Sequence, residues 1–404
     1  MEVKAMGSPA LEGLRVVEVG SLLAGPFCGQ LLGDLGAEVI KIEPPGSGDP
    51  MRNWGHKKVG GRGLWWPIIA RNKKSITLDL RQREGQMLAR RLIAKADILI
   101  ENFRPGTMER WGLGYDVLSK ENPGLIMVRV SGFGQTGSYS QHAGFGSVAE
   151  AMGGLRYLTG YPDRPPTRVG ISIGDALAGT LGALGALAAL WYRDARGGRG
   201  QVIDVAIYEA VLAYMESLIP EYALTGYIRE RTGPVLPGVA PSNIYPTADG
   251  QWLVMGANAD TVFRRLCQAM GRPELAEDPR FATHDARAEN MELLDSLISE
   301  WTATRPIDDL LETLHEAGVP AGKIYTARDM LEDPHFLARQ AIVKVNVPGI
   351  GEMPMQNVFP KLSLTPGEVR WPGPELGEHN REIFCGLLGL TEDELAELKE
   401  KGVI

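Results

Sequence analysis

The sequence predicts an α/β protein: a large part built on a parallel sheet covered on both faces, with a smaller α+β unit set into the chain. Three observations carry this. Short apolar runs alternate with helical stretches from near residue 15 onward; most of the runs carry apolar residues at adjacent positions, as in strands buried on both faces; and beyond about residue 224 a proline-punctuated loop leads to a different pattern. At 404 residues, 44% hydrophobic and 23% charged, the chain is long enough for two or three domains with cores of their own.

Taken in order, RVVEV at 15–19 reads as a strand, 26–36 as a helix and EVIKIE at 38–43 as a second strand, which makes a βαβ unit. KSITLDL at 74–80, DILIE at 97–101 and LIMVRV at 125–130 continue the strands, separated by a helix at 85–96 and by two short helices. Residues 131–170, rich in Gly, Ser, Tyr and Pro, form a long connection of the kind that lines sites. A helical run follows, then a strand QVIDV at 201–205 and a helix at 207–218. TGYIRERTGPVLPGVAPS at 225–242 reads as a linker and mobile loop. Strands at 243–245 and 252–255 flank Asp249-Gly250 as a hairpin, and helices are expected at 260–270, 289–303 and 306–317. Beyond Asp333, the extended segments IVKVNVP and KLSLTP lead to a last helix opened by the capping box of Thr391 and Glu394. The expected organisation is a large domain over 1–224, a small one over 225–335, and a segment over 336–404 that returns to the large domain.

A net charge of -8 argues against a broad nucleic-acid or anionic-membrane surface, so an anionic ligand must be small and held by a local basic cluster. Arg71, Lys73 and Lys74 before one strand, and Arg104 and Arg110 after another, are such groups, set near strand ends where open α/β sheets bind ligands. Cys28, Cys267 and Cys385 are too few and scattered for a disulfide framework or a zinc site and point to a reducing compartment. MEVKAMGSPALEGLRV has no apolar stretch long enough for a signal sequence, so a cytoplasmic location is expected. No pair of His, Cys, Asp or Glu has metal-ligand spacing with matching partners. The first βα turn, GSLLAGP at 20–26, lacks the close glycine pair of a dinucleotide site, even though Glu43 stands where a ribose partner would.

The chemistry centres on GISIGDALAGTLGALGALAALWYRDARGGRGQVIDV at 170–205. Asp175 heads a run from Ala176 to Tyr192 with no charge, a helix of about five turns that Gly197 and Gly198 end. Gly179, Gly182 and Gly185 recur every three residues, so another backbone is expected close against that face. Asp175 has three readings. It is a helix N-cap, a nucleophile or base kept ionised by the helix terminus, or a bystander to Ser172, which sits in a G-x-S-x-G pattern like a nucleophile elbow. The elbow needs a strand before it and an acid and His after it. The two prolines of DRPPTR at 163–168 leave room for a very short strand alone, and His284, His315, His335 and His379 have no elbow-like companion. A lone carboxylate facing a basic, nucleotide-sized site suits covalent acyl transfer.

Several stretches carry a resemblance when taken together: LAGPF at 23–27, LGDLGAEVIKIEPPGSGDP at 32–50, RNKKSITLDL at 71–80, ENFRPGTMERWGLGY at 101–115, SGFGQTG at 131–137, GDALAGT at 174–180 and GRGQVIDVAIYEA at 198–210. Over nearly its whole length the chain resembles the family III CoA-transferases. The resemblance implies a Rossmann-like large domain completed by the C-terminal segment, a smaller domain between, and two chains interlocked as a dimer or paired with a related subunit. It implies that Asp175 is the nucleophile, attacking the acyl-CoA thioester to give an aspartyl anhydride and then an aspartyl-CoA thioester that the acceptor carboxylate opens. Ser21, Leu22, Leu23 and Ala24 match the turn bordering the pantetheine and adenine, and Lys73, Asn102, Phe103, Arg104 and Arg110 match positions around the CoA nucleotide. CoA is then a substrate, with no prosthetic group. ESLIPEYALTGYIRERTG at 216–233 is similar to bacterial members of the succinyl-CoA:malate type, which implies succinyl-CoA as donor and a malate-like dicarboxylate as acceptor. Arg52, Arg156 and Arg168 are cations for the acceptor's remote carboxylate. Other readings are an acyl-CoA thioesterase using Ser172, a non-catalytic subunit of a heteromeric transferase, and an α-methylacyl-CoA racemase. The last lacks its His, since Phe145 follows Ala143-Gly144.

Overall fold

A computed structural model describes residues 7–404. Six strands form one parallel sheet: β1 (Arg15–Glu18), β2 (Glu38–Glu43), β3 (Lys73–Thr77), β4 (Ile98–Glu101), β5 (Ile126–Ser131) and β6 (Val202–Ala206). Their order is β3-β2-β1-β4-β5-β6. This is the 3-2-1-4-5-6 order of nucleotide-binding α/β sheets, in which the direction of winding reverses between the first and fourth strands and opens a crevice at their carboxyl ends.

The strands are apolar at successive positions because neighbouring residues face opposite sides, and both sides are covered. Val16, Val39, Ile98 and Ile126 share one core with helix α1 (Ala24–Asp34) and the long central helix; Val17, Ile40, Leu99 and Met127 share the other with helix α2 (Arg83–Ile93) and with Ile383, Phe384 and Leu388 near the C-terminus. The C-terminal segment also closes an open edge of the sheet. Ser75 O accepts the amide of His379, Thr77 N donates to Asn380 Oδ1, and Asp79 N donates to Val403 O. An uncovered β3 would present free backbone groups to other chains.

Helix α3 (Gly146–Met152) and helix α4 (Ile173–Arg196) follow, with helix α5 (Ile207–Leu212) after β6. Helix α4 has 24 residues, longer than its apolar run suggests, because it begins three residues before Ala176 and ends at Gly197 in the left-handed conformation. It is long and apolar enough to cross a membrane by length and composition. One of its faces is nevertheless core: Ala178, Gly179, Gly182, Ala186 and Ala189 are buried. Of its three regularly spaced glycines, Gly179 alone meets another backbone. A Cβ there would lie 2.7 Å from Ala24 O and 3.1 Å from Cys28 N of α1, whereas Gly182 faces Val128 and Gly185 faces Ile203.

The chain divides into two compact units. The larger one combines the stretch up to Leu155 with Val169–Pro220 and Ala338–Ile404; the smaller combines Arg156–Arg168 with Glu221–Leu337. Residues 156–168 thus cluster with the small unit, where Arg231 donates to Tyr157 O and Gly233 N to Gly160 O. The small unit holds an antiparallel sheet of β7 (Ser242–Pro246), β8 (Trp252–Gly256) and β9 (Ala321–Lys323), with β8 central, packed on helices α6 (Asp260–Ala269), α7 (Met291–Thr302) and α8 (Ile307–Glu316) through Tyr245, Leu253, Phe263, Leu294 and Leu310. The hairpin around Asp249-Gly250 is present, while Ala321–Lys323 is too short and glycine-containing to stand out as a strand in the sequence. In the C-terminal segment Ile342–Val347 pairs with Gly351–Gln356, and the expected extended segment KLSLTP joins no ladder.

Gly179→Ala tests the contact between helices α1 and α4. Alanine raises helix propensity by about 1 kcal/mol, but the added methyl meets backbone that cannot move aside, an overpacking cost of about 1–3 kcal/mol. The expected result is a lower urea midpoint at unchanged m-value; a raised midpoint would mean the helices are not this close.

Candidate active site

The crevice at the carboxyl end of the sheet starts from the turn after β1. Gly20, Ser21, Leu22 and Leu23 leave the strand and enter α1, and this turn is gripped from three sides. Asn102, just past β4, donates from Nδ2 to Ser21 O and accepts the Ser21 amide at Oδ1, both at 2.8 Å. Asp49 accepts the Leu22 amide at 3.1 and 3.2 Å. Lys41 donates to Gly20 O at 2.8 Å. Leu22 has φ 66°, a conformation leucine rarely adopts.

A buried ionic cluster lies under the turn. Lys41 Nζ is 2.9 Å from both Glu18 Oε1 and Asp49 Oδ2, and Lys73 Nζ is 2.8 Å from Glu18 Oε2. Two carboxylates and two ammoniums leave it neutral. Burial alone would raise the Glu18 carboxyl, but the adjoining Lys41 and Lys73 charges outweigh it and hold it below the usual carboxylate range. Asp49 is likewise held low, burial being outweighed by Lys41 and by the Met51 and Leu22 amides.

Beside the turn is a cleft of about 440 Å³, lined among others by Ser21, Pro44, Asp49, Arg81, Phe103 and Trp111. Phe103 and Trp111 meet edge to face, 5.1 Å between centroids, and Glu101 fixes Phe103 by accepting its amide. Pro44, Pro45, Asp49, Arg81 and Trp111 were not singled out from the sequence as site residues. A strand–turn–helix pattern places the crevice, but which loop residues wall it depends on strand order.

Asp175 is not the cap of its helix. Ser172 holds the N-cap position and Asp175 is the third residue of α4, inside the first turn. There its carboxylate lies at the positive end of the helix dipole. Gly146, the first residue of α3, is pressed against it: a Cβ at Gly146 would fall 2.3 Å from Asp175 Oδ2. Glu150 of the same helix is buried and accepts the Gly174 amide at 3.3 Å. Gly179, one helical turn or about 6 Å further on, backs onto Ala24, which directly follows the gripped turn, so Asp175 lies at the same end of the sheet as the crevice.

The other expected site residues separate into groups. Ser21 and Phe103 line the cleft, Leu22 and Leu23 turn inward against Met51 and Trp66, and Ala24 is buried as the first residue of α1. Arg104 and Arg110 are exposed, the latter bonded to Thr107. Asn102 has its amide engaged by Ser21, so it shapes the turn from behind. Lys73 requires correction as a nucleotide contact: its ammonium is fully enclosed, given to Glu18 and to Pro26 O at 2.6 Å. Its companions are corrected too, since Arg71 is buried on Asp34 and Lys74 pairs with Glu38 and Glu382, at the amino end of β3 and away from the crevice. Arg52 is corrected as an acceptor cation. Its Nε and one terminal nitrogen each donate to Glu43 at 2.7 Å, the other donates to Pro374 O, and the guanidinium stacks on Trp66. Arg156 and Arg168 belong to the small unit, half-buried and exposed respectively. Ser172 lacks an elbow, because turns and bends precede it where a strand would be needed. Among the described residues no group of three His, Cys, Asp or Glu side chains could hold a metal ion.

Residues 11–380 match CoA-transferase family III. The chain belongs to this family. It is 66% identical over 394 residues to a succinyl-CoA–D-citramalate CoA-transferase of Chloroflexus aurantiacus, covering 98% of each sequence. To the alpha subunit of a succinyl-CoA–L-malate CoA-transferase of the same organism it is 44% identical over 396 residues, 98% of this chain and 92% of the relative. The crystal structure of a CAIB/BAIF family protein from Brucella suis matches with a TM-score of 0.83 at 38% identity, covering 94% of this chain and 100% of that one. The family III CoA-transferase described here is therefore an enzyme that moves CoA from an acyl-CoA to a carboxylic acid.

The ionic cluster predicts the acid limit of its fold. A carboxyl whose folded pKa is depressed adds stability that is complete above its unfolded value of about 4 and lost as pH falls through the folded value. Unfolding free energy should therefore be level above about pH 5 and decline below about pH 4. Glu18→Gln, which leaves Lys73 without a carboxylate partner and Lys41 with Asp49 alone, should cost roughly 3–5 kcal/mol at pH 7 and flatten that decline, as read from urea midpoints across the pH range.

Proposed function

We propose that this CoA-transferase takes CoA from succinyl-CoA and gives it to a 2-hydroxy dicarboxylate of the citramalate type, with Asp175 as nucleophile. The observation that carries the chemistry is the place of Asp175: a carboxylate in the first turn of a 24-residue helix, with the Gly146 backbone against it, at the crevice end of the sheet. The carboxylate attacks the thioester carbonyl and expels CoA thiolate, leaving an aspartyl-succinyl anhydride. The thiolate attacks the Asp175 carbonyl, releasing succinate and forming the aspartyl-CoA thioester. The acceptor carboxylate then attacks that carbonyl, and the thiolate it expels opens the new anhydride at the acceptor's carbonyl, so product thioester leaves and Asp175 is restored. In this reading backbone amides at the N-terminal end of α4 stabilise the oxyanions, whereas the Gly134 and Gln135 amides of the Gly132–Gly137 turn are already given to Ser131 Oγ and Asp204.

CoA is a substrate in this reading, and no prosthetic group is required. Its nucleotide end occupies the cleft beside Ser21, Phe103 and Trp111, with Arg104 and Arg110 facing phosphate. The acceptor is inferred from likeness. The 66% identical relative is named for D-citramalate, and the 44% identical one for L-malate, the acceptor type implied by residues 216–233. Citramalate is malate with a methyl on the hydroxyl-bearing carbon, and a methyl in an apolar pocket is worth about 1–3 kcal/mol of discrimination. The same reading includes an interlocked homodimer, or a heteromer with a related subunit, in the cytoplasm, where Cys28 and Cys267 stay as buried free thiols.

Asp175→Ala should lose at least about 10³-fold in kcat, the scale expected when a covalent nucleophile is removed, while CoA still binds by calorimetry. Hydroxylamine trapping of wild type with succinyl-CoA should mark the peptide holding Asp175. A mark on Ser172 would establish the thioesterase reading instead, and absence of both turnover and a mark would make the chain a passive subunit.

An acceptor screen with succinyl-CoA should rank citramalate above malate in kcat/KM by about 10-fold or more. Preference for malate would move the acceptor back to the unmethylated acid.

A further inference from the structure

Asp49 has no part in the reaction described above, yet it is where the buried ionic cluster meets the turn at the crevice. Its side chain is 2% exposed and makes four contacts in three directions. It accepts the Leu22 amide, accepts the Met51 amide at 2.9 Å, and pairs with Lys41 at 2.9 Å. Its own amide is held by Glu43 at 2.9 Å, and Glu43 is fixed in turn by Arg52 and Ser75. Lys41 has three N–H donors, and it directs them to Glu18, Asp49 and Gly20 O, so the backbone is caught on both sides of Ser21.

Leu22 is the residue under constraint. At φ 66° an L side chain is strained, and a strained residue persists only when its surroundings over-determine it. Its side chain lies against Met51, Trp66 and Ile69, and its amide is given to Asp49. Without that acceptor the remaining bonds, Asn102 to Ser21 and Lys41 to Gly20 O, act on the residues before Leu22, and a return of Leu22 to negative φ would swing Ser21 and rotate the entry to α1.

We propose that Asp49, anchored by Lys41, is a positioning residue for acyl-CoA: it holds Leu22 in the left-handed conformation and so shapes the turn against which the thioester-bearing arm lies. This rests on the reading that residues 21–24 border CoA.

The test uses the full-length enzyme and a double-mutant cycle. Asp49→Ala should raise KM for succinyl-CoA at least 10-fold while KM for the acceptor stays within twofold; Asp49→Asn, which keeps an acceptor oxygen, should fall between, and it replaces the alanine variant if that one does not fold. Glycine adopts φ 66° without strain, so adding Leu22→Gly to Asp49→Ala should recover part of the donor KM, although Leu22→Gly in the wild-type background weakens donor binding. A purely structural Asp49 would instead lower the active fraction, with both KM values unchanged and the two substitutions additive, and either result overturns the proposal. Amide hydrogen exchange at residues 20–24 with and without CoA separates it from the reading beneath it. If wild type gains no protection there, the turn does not border CoA and both fail; if it does and donor KM ignores Asp49, this proposal alone fails.

Discussion

The close packing of helix α4 on helix α1 is the constraint on which the site depends. Gly179 lets α4 rest against the backbone at Ala24 and Cys28, and the row of alanines beyond it seats the helix on the sheet. Because α1 begins at the end of the first strand, a helix pressed against its start must bring its own first turn to the same edge. That puts the Asp175 carboxylate, four residues ahead of Gly179, at the same end of the sheet as the crevice. A side chain at Gly179 would push the helices apart and move the carboxylate with them, so the small residue serves packing and chemistry together.

The second element is electrostatic. Placing Glu18, Lys41, Asp49 and Lys73 in the interior is costly unless every charge is met, and here the set is neutral, with its ammoniums also bonded to Gly20 O and Pro26 O. Those two carbonyls flank the turn between β1 and α1. The charges thus fix a backbone conformation that apolar packing would leave adjustable, and they do so beneath a wall of the site. Lys73, which from its position before a strand looks like a phosphate ligand, belongs to this support.

The class of fold and the family were legible in the sequence. Asp175 stands out as the one acid heading an uncharged run, and the alternation of strands and helices predicts a parallel sheet because parallel strands are joined by crossover helices that cover both faces. Lys73, Arg71 and Arg52 were misread for a physical reason. A lysine or arginine near a strand end has equal access in sequence to a ligand or to a buried carboxylate, and its partner is decided by how other segments fold against it: Glu18 for Lys73, Asp34 for Arg71, Glu43 for Arg52. Asn102 illustrates the same limit, since its partner Ser21 is 81 residues distant.

By itself the sequence determined the class of fold, the family, the acid at the head of the central helix and the capping box at Thr391, all of which follow from local pattern: periodicity, helix signals and motif order. Tertiary structure alone decided which charges are internal, that Asp175 sits inside the first turn with Gly146 against it, and that Asp49 and Asn102 hold the turn at Leu22 in a conformation leucine would not choose. These are contacts between segments brought together by strand order, and they depend on distances of a few tenths of an ångström that no spacing along the chain encodes.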